Sequence, residues 1–262
     1  VIDVLAPVRG TSVIYRVNPV AKIGAAFLLD ACLILSIDWV SALVALLLTA
    51  PLFFFAGVSA RVFWLRTLAV WIAAPLTGIT IALYGQGSGQ AYFDFLFAHV
   101  SEGSLTLAIA TALRVLAIGL PSVVLFLTVD PTDLADGLAQ VLRLPSRFVL
   151  GALAGLRLVG LFIEDWHSLE LARRARGVGD TRRIRRLGGQ AFALLVLSIR
   201  RGSKLATAME ARGFGGRAPR TWARESRFRR ADALLILIGA TIAAAAIVTS
   251  VATGHWNFIG GR

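Results

Sequence analysis

Apolar residues gather along this chain in long runs with few interruptions, and five of them, at approximately 23–37, 39–58, 67–84, 105–127 and 233–252, stand out. A bilayer core about 30 Å thick takes roughly 20 helical residues, and shorter segments adapt through their flanks. Each run predicts a membrane-spanning helix. The first is short, and Asp38 alone separates it from the second. Two further apolar stretches, 148–163, interrupted by Arg157, and 190–199, are shorter and predict amphipathic helices at or partly within the inner leaflet.

Charge fixes the direction of threading. The 262 residues are 57% hydrophobic and 16% charged, with a formal net charge of +12. Residues 164–232 hold 17 of the 27 basic and 7 of the 15 acidic side chains, leaving the remainder nearly neutral. Disorder, a disulfide scaffold and a soluble nucleic-acid-binding domain are excluded by this separation, and the single Cys32 reads as core packing. Lys and Arg are retained in short cytoplasmic connections. Arg9, Arg16 and Lys22 precede the first run, Arg61 and Arg66 separate the second from the third, and the basic region lies between the fourth and fifth; Asp38 and 84–104 contain no Lys or Arg. This predicts a cytoplasmic N-terminus, a cytoplasmic region at 128–232 and an external tail after 252. No small-residue cleavage site marks residues 1–22 as a signal peptide.

The fold class expected is all-α and polytopic, with about five transmembrane helices and long cytoplasmic-side helices. It divides into 1–127, 128–232 and 233–262. Two charges, Asp30 and Arg114, fall inside spans, where a bare charge costs about 2.5–3.5 kcal/mol on insertion scales. Their similar depths predict an intramembrane ion pair.

After the fourth span the chain reads Asp130-Pro131-Thr132-Asp133: an N-cap Asp, a Pro at the first helical position and an acid one turn in, which starts a helix. Leu134, Leu138, Val141 and Leu142 follow on one face until Pro145. Two longer helices are then predicted at 147–176 and 188–212. Both end alike. Ala172-Arg173-Arg174-Ala175-Arg176-Gly177-Val178-Gly179 recurs 36 residues later as Ala208-Met209-Glu210-Ala211-Arg212-Gly213-Phe214-Gly215. A glycine C-cap with a last-turn Arg is an ordinary helix stop. That leaves unexplained two alanines at fixed offsets, a second glycine and the repetition. Small alanines let a helix end approach another surface, and Arg offers a planar fork to carboxylates or carbonyls, so two copies point to two similar docking partners.

These residues resemble the transmembrane T component of energy-coupling factor (ECF) transporters, importers of vitamins and transition-metal ions driven by paired ATP-binding cassette ATPases. Asn18-Pro19 with Lys22 resembles that family's N-terminal motif, Thr128 to Pro145 its entry to the coupling helices, and the paired Ala-Arg-Gly triplets its hallmark. The resemblance implies that Ala175, Arg176 and Gly177, and Ala211, Arg212 and Gly213, each engage a groove on one of two ATPase subunits, similar or identical. It also implies that the helices and spans hold a small substrate-binding membrane subunit. The chain is then a non-enzymatic scaffold of the inner membrane with no cofactor or metal of its own, ATP and Mg belonging to the partners.

Other classes fit less well. Nothing matches G-x-x-x-x-G-K-[ST], and no Gly-Lys pair exists to close a phosphate loop. A membrane-embedded metal-dependent lipid-modifying enzyme would draw on Asp130, Asp133 and Asp136, but capping accounts for two of them, and His99, His167 and His255 lack metal-ligand spacing. Arg182, Arg183, Arg185 and Arg186 have no interleaved aromatics for base stacking and read as a solvated or lipid-facing linker, not a nucleic-acid surface. Gly85-Gln86-Gly87-Ser88-Gly89-Gln90 reads as a loop.

Overall fold

A computed structural model describes residues 12–85, 91–95, 98–177, 183–216 and 221–254. A 3₁₀ turn at Val13–Arg16 leads into α1 (Pro19–Ile34), α2 (Trp39–Phe55) and α3 (Ala60–Tyr84). A short hairpin of β1 (Ala91–Phe95) and β2 (Ala98–Ser101) precedes α4 (Glu102–Leu127), α5 (Pro131–Gln140), α6 (Ser146–Ala175), α7 (Arg183–Ala211) and α8 (Arg230–Ala252). The chain is an all-α polytopic membrane protein, the hairpin being a local addition in the connection expected to be loop. Its strands pair antiparallel, Phe93 opposite Val100 and Phe95 opposite Ala98.

Local chemistry sets most helix starts. Asn18 caps α1 through Oδ1, which accepts from the Val20 amide at 3.0 Å, with Pro19 at the first helical position. Asp38, the lone break between the first two runs, caps α2: its carboxylate accepts from the Ser41 amide and hydroxyl, both at 2.7 Å. Ser101 and Ser104 form a reciprocal cap at the start of α4, and Ser104 Oγ also donates to Ala82 O of α3. Helix α3 begins at Ala60, earlier than the apolar run, because Arg61 and Arg66 lie within its first turns and do not form a connection. Long arginine side chains can carry their charge to the interface from inside a helix, which the run boundary does not register.

Helices α3, α4, α6 and α8 are long and apolar enough to cross a membrane, while α2 is shorter at 17 residues and α1 has 16. The helix expected at 147–176 is α6, whose 30 residues run unbroken from Ser146 through Arg157, and by length and composition alone it joins the helices able to span.

The chain divides into two compact units, one covering residues 6–134 and 227–262, the other centred on 135–226. The first therefore joins the N-terminal spans with α8, which the charge pattern had set apart as a separate C-terminal region. Its core is formed by Leu29 and Leu33 of α1, Ala42 and Ala45 of α2, Ala117 of α4, and Ile242, Ala243 and Ala246 of α8. Small residues predominate because backbones must approach closely where lipid supplies no hydrophobic drive between helices. A Cβ on Gly119 of α4 would lie 2.6 Å from Val70 Cγ1 of α3, and one on Gly239 of α8 would lie 3.0 Å from Ala25 O of α1.

In the second unit, Ala135 and Ala139 of α5 pack with Val149 of α6, with Leu138, Leu153 and Trp222 around them. Gln140 closes the end of α5 by donating to Arg224 O at 2.8 Å and accepting from the Ser226 amide at 2.9 Å. Helices α6 and α7 pack on each other, and an ion pair between Asp165 and Arg201 joins them.

Paired helix termini as a candidate docking site

Both Ala-Arg-Gly triplets end a helix on a glycine in the left-handed conformation. Arg176 is the C-cap of α6, and the Gly177 amide donates to Arg174 O at 3.0 Å with Gly177 at φ +69°. At the end of α7 the Gly213 amide donates to Glu210 O at 2.8 Å and the Phe214 amide to Met209 O at 2.9 Å, with Gly213 at φ +76°. Those two bonds form a Schellman motif, whose left-handed C′ residue is tolerated by glycine because it lacks a Cβ. Gly215 repeats the positive φ at +83°, which accounts for the second glycine of this copy. Val178 and Gly179 lie outside the described residues.

Ala172, Ala175, Arg176 and Gly177 are exposed, and so are Ala208, Ala211, Arg212 and Gly213. A Cβ added at Gly177, Gly213 or Gly215 would meet nothing within 4 Å. Among the described residues neither the Arg176 nor the Arg212 guanidinium has a hydrogen-bond or ion-pair partner. Each tip is thus a small-residue surface ending in an uncommitted planar cation, at the carbonyl end of a helix dipole. Such an end suits a groove lined by carboxylates or carbonyls.

A buried polar knot in the membrane unit escaped the sequence reading. Lys22, 1% exposed, donates from Nζ to Thr128 O at 2.8 Å, joining the start of α1 to the residue after α4. Asp232, also 1% exposed, accepts from the Asn18 amide at 2.7 Å and the Arg229 amide at 2.5 Å. Asp133 and Asp232 are the carboxylates whose charge bears on Lys22. Asn18, Lys22, Thr128 and Asp232 thereby tie three chain segments at the point where the chain leaves the bundle for α5. The available signal was a Lys and an Asp in the first turns of two largely apolar helices.

The expected Asp30–Arg114 pair is absent among the described residues. Asp30 Oδ2 instead accepts from Ser122 Oγ at 2.9 Å, and the carboxylate acting on Arg114 is Asp38. Similar depth did not bring the two side chains together, because depth along a helix says nothing of which neighbour it faces.

The metal-site alternative fares no better in geometry. Asp130 Oδ1 accepts from the Thr132 amide at 2.7 Å and, more weakly, the Asp133 amide at 3.4 Å, so it caps α5. Among the described residues no three His, Cys, Asp or Glu converge on a metal-sized site. Arg9, residues 86–90, Arg182, His255 and the side chains of His99, Arg183 and Arg185 fall outside the described residues.

Comparison with known proteins agrees with this architecture. The CbiQ family, described as a cobalt transport protein, matches residues 10–222. The energy-coupling factor transporter transmembrane protein EcfT of Bacillus selenitireducens is 28% identical over 258 residues, covering 91% of this chain and 93% of that protein. EcfT of Lactococcus lactis is 28% identical over 243 residues, covering 88% and 91%. EcfT of Bacillus subtilis is 30% identical over 230 residues, covering 82% and 85%. With the family match spanning most of the chain and the relatives aligned nearly end to end, this chain belongs to the CbiQ family as a transmembrane T component of the energy-coupling factor transporter type.

Proposed function

We propose that this T component couples two partner ATPases to a separate substrate-binding membrane subunit for uptake of a vitamin or transition-metal ion. ATP and Mg act in the ATPases. Arg176 and Arg212, with their flanking Ala175, Gly177, Ala211 and Gly213, are the docking points. When ATP binding and release change the separation of the ATPases, helices anchored in their grooves move with them and carry the substrate-binding subunit. The chain sits in the inner membrane with its N-terminus and its 128–232 region cytoplasmic. Although α6 is long enough to span, Arg173, Arg174 and Arg176 crowd its C-terminal end, and the charge rule keeps that end on the basic side.

The observation that carries this reading is the recurrence of one exposed helix terminus, twice, each with an unpartnered arginine. Expression with its ATPases and purification in mild detergent tests it. Arg176→Glu and Arg212→Glu insert normally but retain at least tenfold less ATPase and lose ATP-driven uptake. Copurification and uptake at native levels in both variants would overturn it.

A further inference from the structure

The 36-residue repeat has a second consequence, which rests on the coupling reading. Asp165 of α6 and Arg201 of α7 are themselves 36 residues apart, so they occupy the same position in the two copies. They are also the residues that bridge the two helices. Arg201 Nη1 donates to Asp165 Oδ2 at 2.5 Å and Nη2 to Asp165 Oδ1 at 3.3 Å, a two-pronged arrangement that fixes orientation as well as distance. Both side chains are part-buried, at 35% and 19% exposure, so solvent competes less than at a surface pair.

The helices run in opposite senses through this contact. Arg173, further along α6, donates from Nη1 to Arg186 O, near the start of α7, at 3.4 Å. A Cβ on Gly189 would lie 3.1 Å from Arg173 Nη2. Beyond the ion pair α6 therefore proceeds to Arg176 and α7 to Arg212 in opposite directions, and each arm is 11 residues long. At 1.5 Å per residue each arm measures about 16.5 Å, so the two together extend about 33 Å along their axes.

We infer that Asp165 and Arg201 are positioning residues that pin the two helices at equivalent points and so set the spacing of the docking tips. Two partners related by a two-fold axis are met by two equal arms only while the crossing point stays at its symmetric register. A slip of one helical turn along either helix would lengthen one arm by about 5 Å and shorten its reach on the other side. The pair contributes no contact to a partner and acts through the placement of Arg176 and Arg212.

Spin labels at Ala172→Cys and Ala208→Cys, in full-length chain carrying Cys32→Ala in lipid nanodiscs, read the tip spacing directly. The native pair gives one narrow distance distribution. Asp165→Arg and Arg201→Asp singly, each placing like charges together, broaden it at least twofold, and the two combined restore the narrow distribution. ATP-driven uptake with the partner subunits follows the same order, lost in each single and recovered in the double. Unchanged distributions in both singles, or a double as broad as the singles, would overturn the pin. The coupling reading fails separately, through retention of the ATPases by Arg176→Glu and Arg212→Glu, whatever the distances show.

Discussion

Lys22 and Thr128, 106 positions apart, are joined by a 2.8 Å hydrogen bond from the buried ammonium to a backbone carbonyl. The bond sits where α1 begins and where the chain leaves α4, so one side chain ties the first helix of this unit to the residue after the fourth. Substitution of Lys22 by Met keeps the length and removes the donor. An unsatisfied buried carbonyl costs about 1–3 kcal/mol. Lys22→Met therefore lowers the thermal midpoint in detergent by several degrees, whereas Lys22→Arg, which keeps a donor, loses less.

Asp232 offers an independent measure of the same knot. Its two oxygens accept from the amides of Asn18 and Arg229. Asp232→Asn retains one acceptor and Asp232→Ala none, so urea or thermal unfolding places alanine below asparagine and both below the native chain. Equal midpoints for the two variants would dissociate the carboxylate from these amides.

Asp30 and Ser122 form the intramembrane contact that Asp30 and Arg114 do not. A double-mutant cycle separates the two possibilities. Asp30→Asn with Ser122→Ala shows a coupling energy of about 1 kcal/mol, while Asp30→Asn with Arg114→Gln is additive. A larger coupling for the second pair would restore the expectation from sequence.

The two left-handed glycines give a local test of the tips. A residue with a Cβ in that conformation costs about 1–2 kcal/mol. Because a Cβ at Gly177 or Gly213 would meet nothing within 4 Å, their replacement by Ala frays the last helical turn without disturbing the bundle. Amide hydrogen exchange at residues 172–177 and 208–214 rises, while that of α1, α4 and α8 is unchanged.

Asp38 supplies a pH dependence outside the spans. Burial alone would raise its carboxyl; hydrogen bonds with Ser250 and Ser41, the Ser41 amide and Ser36 outweigh that, and the net displacement is below the usual carboxylate value. The folded value is the lower one, so the ionised cap stabilises the fold above the ordinary carboxylate range, and this contribution fades as pH falls through it. Thermal unfolding of the native chain weakens below about pH 4, and Asp38→Asn shows a shallower decline over the same interval.

Features written in adjacent residues were legible in the sequence. Asp130 as a cap, Asp38 as the break between two helices, Gly177 and Gly213 as helix stops, and the paired tips all depend on neighbours within one turn. The start of α3 was misjudged because Arg61 and Arg66 marked a connection by charge, while the backbone stays helical beneath side chains that reach outward. Partners of Asp30, Lys22 and Asp232 were invisible because each lies many residues away, and helical periodicity reports a face without naming what it meets. Asp165 and Arg201 were hidden differently: amid so many charges an isolated acid and arginine look like solvated surface. Their shared place in the repeat was present in the sequence, but only the crossing of α6 and α7 gives it meaning.

The glycine-closed tips also bear on biogenesis. The α7 terminus is closed by its own backbone hydrogen bonds, and the described part of the α6 terminus follows it. A docking element that is already formed loses little conformational freedom on capture. Under the proposed docking role, tips already formed before a partner arrives would leave the order of assembly free.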